Sequence, residues 1–410
     1  MALDFFPEVL APVGDEERLD YALRFGADAV YLGAKEFSMR TAPENFTFPA
    51  LAKGVEKAHA KGVRVYLTCN TLPRNQECDQ LPEFIEHAAA AGVDALILSD
   101  IGVLSLAKRL APQLELHVST QMGVVNYLSA TELFHMGVKR VVLARELSLE
   151  EIREIRRRTP PELELEVFVH GAMCMSVSGR CLLSNYLLGR DANRGGCAQP
   201  CRWKYHLIEE KRPEESMPIL EDQDGSYILN AKDLCMIDYL EQLKEAGVSS
   251  FKIEGRAKSA YYVAVVTNAY RCAADFYRTH PGLPLPEWIR REVTTISHRQ
   301  YSTGFYFGRP EQGQYYAGGG YVRQWDIAAV TERWEEGRLF CRQRNRFFPG
   351  DVLEVVEPGI APWKLSVEAL WDKEGTPIAS TSHADMEFSL PCSKEVGKGA
   401  VLRKTKDGLS

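Results

Sequence analysis

Five of the ten cysteines in this 410-residue chain lie in one stretch, and thiols so concentrated are typical of a reactive or metal-binding site. They follow the pattern C-x6-C-x15-C-x3-C-x33-C at Cys174, Cys181, Cys197, Cys201 and Cys235. The N-terminal segment lacks the basic and long apolar regions of a secretion signal, so we expect no signal peptide and no disulfide framework. A metal or cluster site, a thiol nucleophile and buried inert cysteines remain as interpretations.

Each interpretation makes a different demand on the spacing. Structural zinc uses paired C-x2-4-C knuckles, and only Cys197 and Cys201 have that separation. A thiol nucleophile needs a base, which His170 would supply to Cys174, but the other four cysteines would then have no role. Free cysteines are also commonly buried and inert. Four or five thiols gathered from one loop are better suited to an iron–sulfur cluster, which the spacing favours without excluding the alternatives.

Basic side chains surround these thiols in the segment NYLLGRDANRGGCAQPCRWKY, residues 185–205. They are Arg190, Arg194, Arg202 and Lys204. Cationic groups would offset the negative charge of a thiolate-bound cluster, and they would also bind an anionic substrate or a phosphate backbone. The alternative interpretation is a solvated basic loop.

The first 255 residues repeat a helix, a glycine and an apolar, β-branched strand, which is the pattern of parallel strands covered on both faces. The junctions read FGADAVYLG (25–33), KGVRVYLT (61–68), AGVDALILSD (91–100), MGVKRVVLAR (136–145) and AGVSSFKIEG (246–255). Further strands are predicted at residues 7–12, 114–119 and 165–170. Eight β–α units predict a (β/α)8 TIM-like barrel, because the alternative doubly wound sheet would carry a GxGxxG loop that is missing after the first strand.

The active site of such a barrel lies at the C-terminal ends of its strands. The polar residues predicted there are Asn70, Asp100, Gln121, Arg145, His170, Lys252, Glu254 and Arg256. Polar side chains at barrel ends also cap helices, so each has a structural alternative. The connection after the seventh strand runs from Gly171 to about Val248, and we expect so long a cysteine-rich insertion to be functional.

The chain is predicted to divide into three parts. Breaks at PGLPLPEW (281–288) and at the glycine-rich YYAGGGY (315–321) separate a helical pattern from short alternating strands with turns. The predicted parts are a barrel carrying the cysteine cluster at 1–280, a linker at 281–323 and a small C-terminal all-β barrel domain at 324–410.

Charge distinguishes the two ends of the chain. The net charge is −7, which argues weakly against a nucleic acid as partner. Residues 281–410 hold 17 Lys/Arg and 17 Asp/Glu, so residues 1–280 carry the whole excess (32 − 39 = −7). In the neutral part, Arg342, Arg344 and Arg346 are spaced two apart, and on a strand they would share a face that could contact RNA. A solvated edge strand is the alternative.

Several function classes lack their motifs. The sequence holds no HExxH helix, no GxSxG elbow and no GxxxxGK[ST] loop. No run approaches the roughly 20 apolar residues of a membrane span. We therefore expect a cytoplasmic protein with no membrane partner.

The segment from Glu166 to Ser184 resembles the signature of the collagenase-like peptidase family of unassigned catalytic type. The matching residues are Glu166, Phe168, Gly171, Ala172, Met173, Cys174, Gly179, Cys181, Leu183 and Ser184. The resemblance extends through EVLAPVGD, DAVYLG, GRDANRGGCAQPCRW and FKIEGR, and so covers essentially the barrel. The added C-terminal domain is similar to that of longer members. Within the family, the chain looks most like the prephenate-dependent tRNA uridine hydroxylases.

That resemblance implies an oxygen-independent hydroxylase with a [4Fe–4S] cluster and prephenate as cosubstrate, forming 5-hydroxyuridine at the wobble position of tRNA. Relatives in the ubiquinone pathway hold their cluster with four cysteines, whose spacing is similar to Cys174, Cys181, Cys197 and Cys235, with Cys201 as the alternative to Cys197. Family members also hydroxylate another RNA base. Besides tRNA and prephenate, a paralogous family member is a candidate partner.

Prephenate is a dicarboxylate, so the implied site needs cationic side chains. The predicted substrate-binding residues are Arg145, Arg190, Arg194, Lys252 and Arg256. Proton transfer is assigned to His170 or Glu254, and contact with tRNA phosphates to the three C-terminal arginines. Two competing hypotheses are a peptidase using Cys174 or a bound metal, and an RNA-binding scaffold whose thiols hold zinc. No recognisable proteolytic constellation supports the first.

Overall fold

The barrel begins with six regular β–α units, which a seventh strand follows. The structure, a computed structural model, describes residues 6–39, 44–174, 176–177, 180–203, 207–209, 212–217, 221–222, 225–226, 232–308 and 321–406. The units comprise β1 (Glu8–Pro12), α1 (Glu16–Arg24), β2 (Ala29–Gly33), α2 (Phe48–His59), β3 (Arg64–Cys69), α3 (Asn75–Cys78), α4 (Leu81–Ala90), β4 (Ala95–Leu98), α5 (Ile101–Leu110), β5 (Glu115–Val118), α6 (Tyr127–His135), β6 (Arg140–Val142), α7 (Leu149–Arg158) and β7 (Glu164–Gly171).

The local sequence explains these boundaries. Asp15 caps α1 by accepting the Arg18 backbone N–H at 2.9 Å, and Ser148 and Glu151 form a capping box at α7. The glycine after a helix takes a left-handed conformation, as at Gly92 with φ of +78°. The strands that follow are almost wholly buried, as both faces of a parallel sheet require.

The insertion after β7 returns to the barrel through a short strand. The remaining elements up to residue 308 are α8 (Leu183–Leu188), β8 (Leu207–Glu209), β9 (Arg212–Met217), β10 (Glu221–Asp222), β11 (Gly225–Ser226), β12 (Asp233–Cys235), α9 (Leu240–Glu245), β13 (Ser250–Ile253), α10 (Ala260–Thr279), α11 (Glu287–Glu292) and β14 (Tyr301–Ser302). β13 pairs in parallel with both β1 and β7, which closes the eight-stranded barrel. The predicted TIM-like barrel is confirmed, with its eighth strand at β13.

A network of buried charges fills the N-terminal half of the barrel interior. The fully buried Glu166 accepts from Lys252 Nζ at 2.6 Å and from Arg140 at 3.1 Å. Arg140 also bonds Glu8, which in turn pairs with Arg64. Burial raises the pKa of Glu8, but the two arginines outweigh it and hold that pKa at about 2, against an ordinary value of 4.5.

Replacing Glu8 by glutamine is expected to reduce stability in a pH-dependent way. A carboxylate with a lowered pKa stabilises the fold fully above pH 4.5 and loses that contribution as the pH falls toward 2. The shift corresponds to about 3 kcal/mol. Urea unfolding of both proteins should therefore show a gap at pH 7 that narrows below pH 4.5. The exposed Glu56→Gln is the control, and a gap that stays constant with pH would contradict the assignment.

Residues 281–308 belong to the barrel domain rather than to a free linker. α11 packs on α10, and Thr295, His298 and Arg299 are buried. β14 pairs in parallel with β12, so this segment extends the sheet next to the insertion. The proline-rich sequence that suggested a linker is a short turn before α11. Residues 309–320 lie outside the described part.

The C-terminal domain is one antiparallel sheet with its own core. Its strands are β15 (Trp325–Glu335), β16 (Arg338–Gln343), β17 (Val352–Val356), β18 (Trp363–Ser366), β19 (Trp371–Asp372), β20 (Glu387–Pro391) and β21 (Val401–Thr405). They run in the order β18-β17-β21-β15-β16-β20-β19. Over the described residues the two edge strands do not pair with each other, so the predicted small β domain is a half-barrel.

The two domains share a packed interface. Tyr21 of α1, Phe25 just after that helix and Ala264 of α10 form a buried cluster with Val330 and Val401 of the sheet. Beside it, the fully buried Arg403 of the sheet donates across the same interface to Glu292 and Thr295 of the barrel domain.

The predicted arginine face on one strand is wrong. β16 ends at Gln343, so Arg344 and Arg346 lie beyond the strand and only Arg342 is part of it. Arg342 pairs with Glu332 and Glu387. Arg344 pairs with Asp385 and with Glu17 of the barrel, so it joins the domains, and Arg346 donates to Ser380. These arginines are held by acidic or hydroxyl partners and do not form one RNA-binding row.

Candidate functional site

The cysteine insertion starts and ends beside one histidine at the C-terminal end of the barrel. β12 pairs antiparallel with the end of β7, which places Cys235 opposite His170 and Leu234 opposite Gly171. Gly171 has φ of +106°, and a Cβ there would lie 2.5 Å from the Glu254 carbonyl oxygen, so only glycine fits. Gly171 therefore permits a tight turn at the start of the insertion, whereas the signature residue Gly179 lies outside the described residues.

The middle of the insertion is held together by side-chain amide and hydroxyl bonds. Asn193 accepts the Cys181 backbone N–H at 3.2 Å and donates to the Cys181 carbonyl at 3.1 Å. The Ser184 hydroxyl accepts the Ala198 backbone N–H at 3.1 Å. Two segments that each carry a predicted ligand, Cys181 and Cys197, are therefore bonded to each other. Lys204 and the side chain of Arg202 are outside the described part.

Three of the four predicted ligand sulfurs accept a backbone N–H from the residue two positions later. Leu183 donates to Cys181 Sγ and Gln199 to Cys197 Sγ, both at 3.4 Å. At the third, burial raises the pKa of the Cys235 thiol to about 11, and the Ile237 N–H opposes that rise. An N–H bond to sulfur stabilises a thiolate and tunes a metal bound to it.

The donor set therefore has the chemistry that an iron–sulfur cluster requires. Cys174 and Cys197 are exposed, Cys181 and Cys235 are partly buried, and none forms a disulfide. The described residues nevertheless contain no group of three or more His, Cys, Asp or Glu side chains close enough together to hold a metal ion. The structure thus supplies suitable sulfurs on one insertion but does not itself bring them into one coordination group.

An ion pair anchors the insertion to the β3–α4 region. Arg194 forms a bidentate pair with Glu77 on α3, one of whose contacts is 2.6 Å, and it also donates to the Leu72 carbonyl. Arg74 lies 3.7 Å from Asp191. Arg194 was predicted to bind substrate, but in this arrangement its guanidinium positions the loop that carries Cys197. Arg190 is exposed and donates to the Gly196 carbonyl at 3.1 Å.

His170 is enclosed by tyrosines and is not open to the C-terminal face. Its Nδ1 lies 3.3 Å from the Tyr270 hydroxyl and its Nε2 3.4 Å from the Tyr301 hydroxyl. Burial lowers the pKa of His170 to about 3, so the ring is neutral near pH 7. The Tyr262 ring covers a further side. These contacts favour a positioning role for His170 over the predicted proton transfer.

Glu254 is the better placed of the two predicted proton-transfer residues. It is partly exposed at the end of β13, and its carboxylate accepts from the Tyr31 hydroxyl at 3.3 Å. The Tyr262 hydroxyl fixes its backbone by donating to the Glu254 carbonyl at 2.8 Å. A carboxylate on a fixed backbone at the open end of the barrel can exchange a proton with a bound substrate.

The remaining predicted cations hold the barrel wall. Lys252 is buried against Glu166, with its ammonium 4.5 Å from the centre of the Tyr31 ring. Arg256 is buried and donates to Ser38, Thr68 and Asn45. The positions of Lys252 and Arg256 at the end of a strand did not predict that they would bond to other side chains inside the barrel.

Arg145 differs from these two because it is only partly buried. Its guanidinium stacks on the Phe168 ring at 3.8 Å and donates to the Ala172 carbonyl at 2.8 Å. A stacked guanidinium retains further donors, so Arg145 remains a predicted carboxylate-binding residue at the start of the insertion.

The sequence did not identify the residues that support the site from distant positions in the chain. Tyr270 on α10 bonds the Val169 carbonyl at 2.8 Å and lies 3.9 Å from Cys235 Sγ. Asn193 and Glu77 hold the insertion, and Lys258 lies beyond Glu254. A signal existed for Tyr270, because helical periodicity places it on the buried face of α10 with Val263 and Val266.

Comparison with known proteins gives matches over nearly the whole chain. The model of peptidase family U32 matches residues 14–315, and that of the U32 C-terminal domain matches residues 323–403. A Bacillus subtilis protein named tRNA hydroxylation protein P1 is 34% identical over 98% of this chain and 95% of its own length. An Escherichia coli protein named tRNA hydroxylation protein P is 36% identical over 97% of each chain. A Porphyromonas gingivalis protein named collagenase is 34% identical over 74% of each chain.

Proposed function

The chain belongs to peptidase family U32, and from that membership we propose that it is an enzyme that hydroxylates tRNA. The observation that carries the proposal is the near-complete match, through both domains, to relatives named for tRNA hydroxylation. The match to the relative named collagenase covers 74% of this chain. The proposal therefore accounts for the barrel and the half-barrel together.

The finer proposal is prephenate-dependent, oxygen-independent conversion of the wobble uridine to 5-hydroxyuridine. A base in the anticodon loop is unpaired, so its edge can enter a protein site without opening a duplex. A [4Fe–4S] cluster held by Cys174, Cys181, Cys197 and Cys235 would supply the redox chemistry. The donor chemistry and the N–H bonds to three of these sulfurs support that assignment.

The chain's own residues would position the reactants. Asn193 and the Arg194–Glu77 pair fix the insertion over the barrel end. Arg145 would bind a carboxylate of prephenate, and Glu254 would accept or return a proton at its carboxylate. His170 would hold β7 and β12 together through Tyr270 and so set the place of Cys235.

The geometry does not favour proteolysis. A cysteine peptidase needs a histidine that can take the proton of its nucleophile. Both ring nitrogens of His170 face tyrosine hydroxyls, and its pKa is lowered to about 3, so it is poorly suited to activate Cys174.

Nucleoside mass spectrometry of tRNA tests the proposal directly. We expect tRNA from a strain lacking this gene to lose 5-hydroxyuridine and its derivatives, and the gene carried on a plasmid to restore them. A strain blocked in prephenate synthesis should show the same loss with the gene intact. An unchanged nucleoside profile in the deletion strain, after any paralogous gene is also removed, would refute tRNA hydroxylation.

A further inference from the structure

A group of cations surrounds one tyrosine where the barrel meets the C-terminal domain. Lys258 follows the C-terminal end of β13, and its carbonyl accepts from Arg18 Nε at 2.6 Å, which fixes the backbone there. Tyr321 and Arg323 are brought alongside by the antiparallel bridge between Val322 and His298. This group lies at the same end of the barrel as Glu254 and the cysteine insertion.

Three cations lie within 6 Å of the centre of the Tyr321 ring. Lys258 Nζ lies 4.7 Å from the centre of the Tyr321 ring and 5.5 Å from that of Tyr262. The Arg323 and Arg299 guanidinium carbons lie 5.6 and 5.9 Å from the Tyr321 ring. Three cations around one ring repel one another, so the arrangement favours an anion between them.

The nearby acidic side chains do not neutralise all three cations. Arg299 donates from two guanidinium nitrogens to Oδ1 of the buried Asp233, at 2.9 and 2.6 Å. Arg323 is exposed and donates only to the Ser297 hydroxyl among its described contacts, at 3.3 Å. Lys258 is partly buried, and within the described ranges its ammonium forms no salt bridge. Asp233 is the carboxylate with which Lys258 interacts electrostatically, but Arg299 already binds it, so a bound anion would offset the remaining positive charge.

We propose that Lys258 and Arg323 form an oxyanion-binding site at the C-terminal end of the barrel. The group bound is a carboxylate of a small dicarboxylate cosubstrate or a phosphate of the tRNA backbone. The identity of these two sources rests on the proposed function, whereas the anion site itself does not. Asp233 links the site to the insertion, because it lies two residues before Cys235 on β12 and holds Arg299.

Binding measurements on the full chain test this site without requiring turnover. Lys258→Met and Arg323→Gln are compared with wild type, and Lys61→Met is the matched control, since that exposed lysine follows α2 at the opposite end of the barrel. Calorimetry measures the affinity for prephenate and for inorganic phosphate. Filter binding measures the affinity for an unmodified tRNA transcript at salt concentrations from about 50 to 200 mM.

The two sources give different expected results. If the site holds the cosubstrate, both variants bind prephenate about tenfold or more weakly while their tRNA affinity is unchanged. If it holds a phosphate of tRNA, both lose tRNA affinity and show a shallower salt dependence, with prephenate binding intact. Because Arg323 is exposed, its variant should fold even if Lys258→Met does not.

Other outcomes separate the site from the proposed function. If the wild type binds neither prephenate nor tRNA but binds inorganic phosphate in a Lys258-dependent manner, the anion site stands and the proposed function fails. If Lys258→Met and Arg323→Gln bind all three probes like wild type, or if Lys61→Met weakens them equally, the anion site is refuted.

Discussion

Replacing Arg403 by leucine is expected to lower the free energy of unfolding by about 3–5 kcal/mol, since it breaks a buried ion network on one side only. Arg403 is fully buried on β21 of the C-terminal domain. It donates to Glu292 at 3.0 Å, to Thr295 at 2.7 Å and to Glu354 at 2.8 Å. Leucine would leave the buried Glu292 without its cation and Glu354 with Arg291 alone, and an unpaired buried carboxylate is costly.

Thermal and urea unfolding of the full chain measure this effect. Arg333→Leu is the matched control, because Arg333 is an exposed arginine in the same sheet whose partner is Glu335. We expect that control to change stability by less than about 1 kcal/mol. The triple variant Arg403→Leu, Glu292→Gln, Glu354→Gln should recover part of the loss, because no buried charge is left unpaired. A loss below about 1 kcal/mol for Arg403→Leu alone would show that the interface does not depend on this network.

The location of Arg403 also bears on function. Glu292 lies on α11 of the barrel domain, whereas Glu354 lies on β17 of the half-barrel, so one guanidinium joins both domains. Arg344 adds a second link through Glu17 at the start of α1. These ion pairs hold the half-barrel against the barrel domain. Under the proposed function, a half-barrel held in this way would contact the same tRNA whose anticodon enters the end of the barrel.

The barrel could be predicted because its signal is local and repeated. Each glycine at a helix end and each apolar strand constrains the few residues around it, and eight repetitions leave little choice of fold. The strand prediction at 246–255 corresponds to β13, which closes the barrel on β1 and β7. Residues 281–308 misled the prediction because prolines mark a turn but do not say whether the following helix packs.

The candidate site was less predictable because its partners are distant in sequence. Lys252 looked like a substrate ligand, yet Glu166, 86 residues earlier, neutralises it inside the barrel. Arg194 similarly meets Glu77, 117 residues earlier. Spacing tells which side chains share a strand end but not which charge arrives from another element. The environment of Lys258 could not be predicted either, because its aromatic neighbour Tyr321 lies about 60 residues later in the chain.

The N–H bonds at sulfur likewise could not be predicted from cysteine spacing. Leu183 and Gln199 each donate a backbone N–H to the sulfur two positions earlier, a local geometry that the spacing between cysteines does not reveal. Such N–H donors stabilise a thiolate. These bonds favour Cys181 and Cys197 as ligands among the five clustered cysteines. Substitution of each cysteine in turn tests that assignment.

Serine at any one of Cys174, Cys181, Cys197 or Cys235 is expected to remove most of the bound iron and to abolish tRNA hydroxylation. A cluster held by four thiolates loses affinity and redox chemistry when one thiolate becomes an alcohol. Iron and sulfide per chain, with the visible absorption of anaerobically prepared protein, measure the first effect. Nucleoside mass spectrometry of tRNA from complemented deletion strains measures the second.

Two further cysteines make this experiment decisive. Cys78→Ser is the matched control, because Cys78 is exposed on α3 next to Glu77 but outside the predicted set, and this variant should keep its iron. Cys201→Ser tests the third ligand, since Cys201 lies four residues after Cys197 in the same loop. Iron lost in Cys197→Ser but kept in Cys201→Ser would confirm Cys197, and the reverse would reassign the ligand. The cluster would be refuted if all four predicted variants kept the iron content of the wild type. It would also be refuted if the wild type held stoichiometric zinc in place of iron. Soft thiolates bind either metal, so the bound metal itself must be analysed.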